Sequence, residues 1–227
     1  MISAILFDLD DTLYPEQAWR SSGFDAVAAH VERRCGRPAS EVRNELDRLD
    51  RGTDRSSVFD QLVVASDPDG VFAPELVDLF RAHLPTHLQL FPGAAEYLDA
   101  CPVPIGIITD GFWLSQIRKL EALDVRRRVG PVIVTDLLAA TGAAWKPSEQ
   151  PYRVALSALG LEADQAIFVG DNPRKDFVAP NALGMKSVQL RLPGQVHSGE
   201  PADAEHAATW TVTDWQELTA LLEREVS

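Results

Sequence analysis

Short apolar runs recur along the chain, and each closes on small, hydroxylated or acidic residues. Ile2 to Phe7 runs into Asp8, 103 to 109 into Asp110 and 166 to 170 into Asp171, with further runs at 131 to 135 and 186 to 191. Their length and richness in Ile, Val and Phe predict buried strands. From Phe91-Pro92-Gly93 onward, segments with helical spacing separate them, at about 93 to 101, 112 to 123, 149 to 160 and 175 to 183. The tail adds a short strand near Thr209 to Val212 and a helix from Trp215 to about Arg224, with Thr213 or Asp214 as its cap. Such alternation implies an α/β fold, a doubly wound and mostly parallel sheet with helices on both faces. The polar, turn-rich stretch from Pro193 to His206 reads as a surface loop.

Between the first strand and Phe91 the period changes. Val27 and Val31, then Val42, Leu46 and Leu49, then Val58, Leu62 and Val63, then Leu76, Leu79 and Phe80 recur at three- and four-residue intervals, which predicts about four helices. Ser40 before Glu41 and Pro74 before Glu75 are start signals, and Gly36-Arg37-Pro38 and Asp67-Pro68-Asp69-Gly70 punctuate the gaps. A stretch this long is no loop, so residues 15–90 read as an inserted helical cap domain on a core of residues 1–14 and 91–227.

Composition narrows the class of partner. The chain has 227 residues, 45% of them hydrophobic, enough for a large core with an accessory domain. A formal charge of -13 argues against nucleic acid polymers and anionic membranes, which require clustered Lys and Arg. No apolar run approaches membrane-spanning length, and Met1-Ile2-Ser3-Ala4 lacks the basic start of a signal peptide, so a cytoplasmic location is expected. Cys35 and Cys101 form no disulfide framework, and the five histidines form no metal set. Oligomeric state leaves no trace in the pattern. In so acidic a chain, any phosphate must be held by local donors and a cation.

Phe7-Asp8-Leu9-Asp10-Asp11-Thr12-Leu13 puts a carboxylate cluster at the carboxyl end of a strand, where α/β proteins bind their ligands. Asp8 and Asp10 have no basic neighbour in sequence, and paired carboxylates invite a hard divalent cation such as Mg²⁺. Three further pieces follow in order: Ile105-Gly106-Ile107-Ile108-Thr109-Asp110-Gly111, Lys146-Pro147, and Ile167-Phe168-Val169-Gly170-Asp171-Asn172-Pro173-Arg174-Lys175-Asp176. Together the four resemble the ordered motifs of the haloacid dehalogenase-like hydrolase superfamily, from Ile2 to about Leu192.

The resemblance implies a Rossmann-like core and a Mg²⁺-dependent phosphatase acting on a small phosphate monoester: a nucleotide, sugar phosphate or phospho-acid. By it, Asp8 is the nucleophile that becomes an aspartyl phosphate, and Asp10 protonates the leaving group and then activates water. Thr109 with the backbone N–H groups of Asp110 and Gly111 cradles the phosphate oxygens, and Lys146 supplies a point charge to phosphate and nucleophile. Metal ligands would come from Asp8, the Asp10 carbonyl and Asp171. Asn172 and Asp176 stand behind them, Asp176 holding a metal-bound water or the Lys146 ammonium. Asp110 replaces the family's commoner Asn, so only its backbone N–H carries over. Doubled Asp10-Asp11 before Thr12-Leu13-Tyr14 looks like the nucleotidase-containing branch. Trp19 and Arg20 at the start of the cap, and Phe112 and Trp113 beside the phosphate loop, are candidates for selectivity; packing of cap on core is the competing role for Trp19 and Arg20. A phosphomutase of the same superfamily and a non-catalytic phosphate-binding or regulatory protein remain alternatives.

Overall fold

The computed structural model of the chain describes residues 1–52, 57–65, 72–85, 87–197 and 199–226. It has two compact units, Met1–Glu16 with Leu88–Ser227, and Gln17–His87.

The first unit is built on six parallel strands: β1 (Ala4–Phe7), β2 (Ile105–Thr109), β3 (Val132–Val134), β4 (Ala166–Gly170), β5 (Lys186–Leu190) and β6 (Trp210–Val212), in the order β3-β2-β1-β4-β5-β6. β1, β2 and β4 are buried at every position, which is why they read as unbroken apolar runs and not as alternating ones. Period-two geometry sends neighbouring side chains to opposite faces. On one face Leu6 and Phe168 join Tyr152, Ala155 and Leu156 of α7 (Gln150–Leu159) and Ala179 of α8 (Val178–Leu183). Toward the other, Phe7 stacks on Trp215 of α9 (Trp215–Val226) at 6.0 Å between ring centroids and meets Tyr97 of α5 (Ala94–Ala100) edge-on. Glu217 N donates to the Asp214 carboxylate at 2.8 Å, so Asp214 caps α9, while Thr213 exchanges contacts with the Glu217 side chain.

The strand order reverses about β1: β2 and β3 are added on one side, then β4, β5 and β6 on the other. A crevice opens at the carboxyl ends of strands where such a reversal occurs. Phe7 is in register with Ile107 and with Val169, so Asp8, Thr109 and Asp171 emerge at neighbouring strand ends.

The second unit contains most of α1 (Glu16–Cys35), then α2 (Ala39–Asp50), α3 (Val58–Ala65) and α4 (Ala73–Ala82). Val27, Val31, Val42, Leu46, Val58, Leu62 and Leu76 form its core, the periodic positions of the sequence. Gly23 admits the Phe80 ring against the α1 backbone, where any Cβ would collide. Ser40 is no cap: α2 begins at Ala39, so Ser40 already lies inside its first turn, and Pro38 with φ -54° and ψ 131° stands at the N-cap. Asp67-Pro68-Asp69-Gly70 lies outside the described residues. No helix among the described residues is long and apolar enough to cross a membrane.

Candidate active site

Asp8 leaves β1 with its N–H bonded to Val169 O at 2.8 Å, and its carboxylate is buried against Lys146, Oδ1 to Nζ 2.7 Å. The same ammonium meets Asp176 Oδ1 at 2.8 Å and lies 5.4 Å from the Phe168 ring centroid. Asp176 Oδ2 accepts Asn172 N–H at 2.9 Å. Gly170 makes this possible: a Cβ there would stand 2.5 Å from Asp176 Oδ2. The Asn172 side chain itself is occupied in the turn, accepting from Arg174 N at 3.0 Å.

At the end of β2, Thr109 is fully buried. Asp110, whose side chain had no assigned role, is a hub. Its Oδ1 accepts from Thr135 Oγ1 at 2.9 Å and Lys146 N at 3.1 Å, and its Oδ2 from Lys175 Nζ at 2.8 Å. Gly111 has φ 113°, open to glycine, and a Cβ would meet the Gln116 amide. Phe112 and the partly exposed Trp113 then open α6 (Trp113–Ala122), with Trp113 N bonded to Asp136 Oδ2 at 3.0 Å.

Asp10 is gripped by three side chains that sequence reasoning did not assign to the site. Lys119 Nζ reaches Oδ1 at 2.7 Å and Oδ2 at 2.9 Å, the Tyr14 hydroxyl donates to Oδ1, and Gln116 Nε2 donates to Oδ2 at 3.2 Å. The one available signal was that Gln116 and Lys119, three apart, share a helix face. Asp11, at φ 55°, serves the backbone: its carboxylate accepts Glu16 N and Val196 N, both at 2.8 Å.

Burial pushes the Asp8 carboxyl up to about 6, against the pull of Lys146. Asp171, buried near Asp176, Asp8 and Asp11, is pushed well above the usual carboxylate range. For Asp10, burial acts upward, but Lys119 with the Tyr14 and Gln116 hydrogen bonds outweighs it, and the group lies below its ordinary value. Burial lowers Lys146, yet Asp176, Asp8 and Asp110 more than compensate and hold it firmly charged. Lys175 is raised in the same way, with Asp8, Asp176 and Asp110 outweighing burial and the repulsion of Lys146.

Five carboxylates, Asp8, Asp10, Asp110, Asp171 and Asp176, thus face three ammoniums, Lys119, Lys146 and Lys175. Carboxylates outnumber ammoniums by two, and burial shifts Asp8 and Asp171 toward their neutral forms. Asp8, Asp171 and Asp176 each offer an oxygen, and these lie within 4.8 Å of one another, the one such acidic group among the described residues. An all-oxygen, over-negative, buried set fits a hard divalent cation.

Trp19 and Arg20 are engaged inside the helical unit. Trp19 is buried against Phe80 and His83, and Arg20 pairs with Asp50 and lies 5.5 Å from the Phe24 ring centroid.

A parallel sheet whose strand order reverses at β1, with acidic strand ends gathered round a buried lysine, defines an α/β fold with a buried acidic site at its carboxyl edge. The chain belongs to the haloacid dehalogenase-like hydrolases, whose pattern matches residues 2–184. It is 28% identical over 232 residues to a glyceraldehyde 3-phosphate phosphatase of Methanocaldococcus jannaschii, covering 98% of this chain and 97% of the relative. It is 30% identical to a phosphoglycolate phosphatase of Xanthomonas campestris pv. campestris, covering 82% and 81%. In fold it is similar to a solved hydrolase of the same superfamily from Bacillus subtilis, bound to magnesium, with TM-score 0.72, 18% identity and coverage of 97% and 98%.

Proposed function

We propose that this enzyme hydrolyses a small phosphate monoester, a sugar phosphate or phospho-acid, through an aspartyl phosphate on Asp8, with Mg²⁺ as its metal. The observation that carries the reading is the buried Asp8–Lys146–Asp176 chain, an acid at a strand end held by a cation that is itself held in place. The two phosphatase relatives support the substrate class.

In the first step an Asp8 oxygen forms a bond to phosphorus, and the bond from phosphorus to the ester oxygen breaks, its electron pair staying on that oxygen. The leaving oxygen takes a proton from Asp10. In the second, Asp10 as carboxylate removes a proton from water, whose oxygen attacks phosphorus and returns Asp8 with free phosphate. Asp10 lies below its ordinary value and rests ionised; the incoming dianion raises its proton affinity, so it takes up from solvent the proton that it gives to the leaving oxygen. Thr109, the N–H groups of Asp110 and Gly111, and Lys146 hold the non-bridging oxygens. Asp8, the Asp10 carbonyl and Asp171 are the residues that would hold Mg²⁺, with Asp176 behind them; when bound it neutralises excess charge and withdraws density from the phosphate.

The test is phosphate release from a panel of sugar phosphates, phospho-acids and nucleotides, with Mg²⁺ and with chelator, for wild type and Asp8→Asn. Turnover requires both the metal and Asp8. Undiminished release by Asp8→Asn overturns the reading.

A further inference from the structure

We propose that Gln116 and Lys119 are positioning residues that aim the Asp10 carboxylate, so that one helix, α6, sets both the phosphate loop and the acid–base group. The inference rests on Asp10 holding that role.

An aspartate side chain turns about two bonds, and its oxygens sweep several ångströms unless something holds them. Proton transfer needs the donor oxygen within about 2.6 to 3.2 Å of its target, and a displacement of about 1 Å costs roughly 100-fold. Asp10 follows the end of β1 in a turn, a poor support for such accuracy. Both of its oxygens are fixed from α6: Lys119 bridges Oδ1 and Oδ2, and Gln116 donates to Oδ2. The two lie one helical turn apart with rotamers locked by burial, at 2% and 5% exposure.

Gln116 does a second thing. Its Nε2 also donates to Asp110 O in the phosphate loop. Both partners are acceptors, which settles the orientation of the amide. The bare α-carbon of Gly111 gives this amide its space. Asp10 and the loop are thereby tied through a single side chain, and the distance from transferring phosphate to leaving-group acid is built in. Tyr14 closes the grip from the β1 side.

A role in neutralising charge or packing alone predicts something different, and leaving-group dependence separates the two. The experiment measures kcat/KM, which reports the step up to phosphoryl transfer, with Mg²⁺, for aryl phosphates ranging from the dinitrophenyl to the phenyl ester. Wild type, Asp10→Asn, Lys119→Met and Gln116→Leu are compared. Wild type gives a shallow dependence on the leaving phenol and Asp10→Asn a steep one. Lys119→Met and Gln116→Leu are expected to steepen it, losing about 10- to 100-fold with the phenyl ester and under about 3-fold with the dinitrophenyl ester, a part of the roughly 100- to 10,000-fold that general acid catalysis contributes. Gln116→Leu removes no charge and serves if Lys119→Met fails to fold. Equal losses across the series, or none, overturn the inference while leaving the proposed function standing, provided that Asp10→Asn is steep. An Asp10→Asn slope equal to that of wild type removes Asp10 as the acid and the inference with it.

Discussion

Replacing Asp8 by Asn should make the metal-free protein more stable while abolishing turnover. The carboxyl is raised from 3.8 to about 6 in the folded state, so the native protein holds this proton more tightly than the unfolded chain. A group raised in this way gives stability that is present at low pH and lost as pH climbs between the two values. At about 1.36 kcal/mol per unit, the ionised carboxylate costs the fold about 3 kcal/mol above pH 6. Asn keeps the shape and carries no charge, and Lys146 retains Asp176. Asp8→Asn should therefore match wild type near pH 4 and exceed it by about 3 kcal/mol at pH 7.5, roughly 6 to 12 °C in Tm for a chain of this size. Urea unfolding of chelator-treated proteins followed by circular dichroism measures the gap, to which Asp171, Lys146 and Lys175 also contribute because each feels the Asp8 charge. Added Mg²⁺ should narrow it by stabilising wild type preferentially. A gap that is constant with pH, or one that favours wild type at pH 7.5, refutes the claim that burial strains this carboxylate.

Lys146→Met strands Asp8 and Asp176 without their shared cation, so it should cost about 3 to 5 kcal/mol in urea unfolding and remove activity. Asp171→Ala should raise the Mg²⁺ concentration needed for half-maximal phosphate release sharply, since one fixed oxygen is gone for an ion that sheds water reluctantly. Asp110→Asn should destabilise by about 1.5 to 3 kcal/mol, measured by thermal unfolding, because Lys175 loses its charged acceptor; an unchanged Tm would show that this contact carries no weight. Arg20→Ala should lower stability through loss of the Asp50 pair and leave the ratio of kcat/KM for a sugar phosphate over a generic aryl phosphate unchanged; a shifted ratio would assign Arg20 to substrate selection.

Much of this enzyme is written locally. Strand periods are local, and so is the chemistry of a strand's last residues, which is why Asp8, Thr109 and Asp171 stand out in the chain alone and why β4 falls where its apolar run predicts. The helical spacing of the insertion likewise announced its own core, Val42 with Leu46 and Leu62. The cap of α9 was legible because Asp214 acts on an N–H three residues away.

Tertiary structure alone decided which charges meet. Lys175 is 65 positions from Asp110, and Lys119 is 109 from Asp10, separations at which spacing carries no directional information. Their pairing depends on how the elements that carry them pack on the sheet. The same packing made the Asp110 side chain an anchor, and it drew Arg20 to Asp50 inside its own unit. Burial is a property of the assembled interior: two aspartates two residues apart, chemically identical in the chain, acquire opposite proton affinities because Asp10 has Lys119 and two neutral donors to outweigh burial, whereas Asp8 shares Lys146 with Asp176.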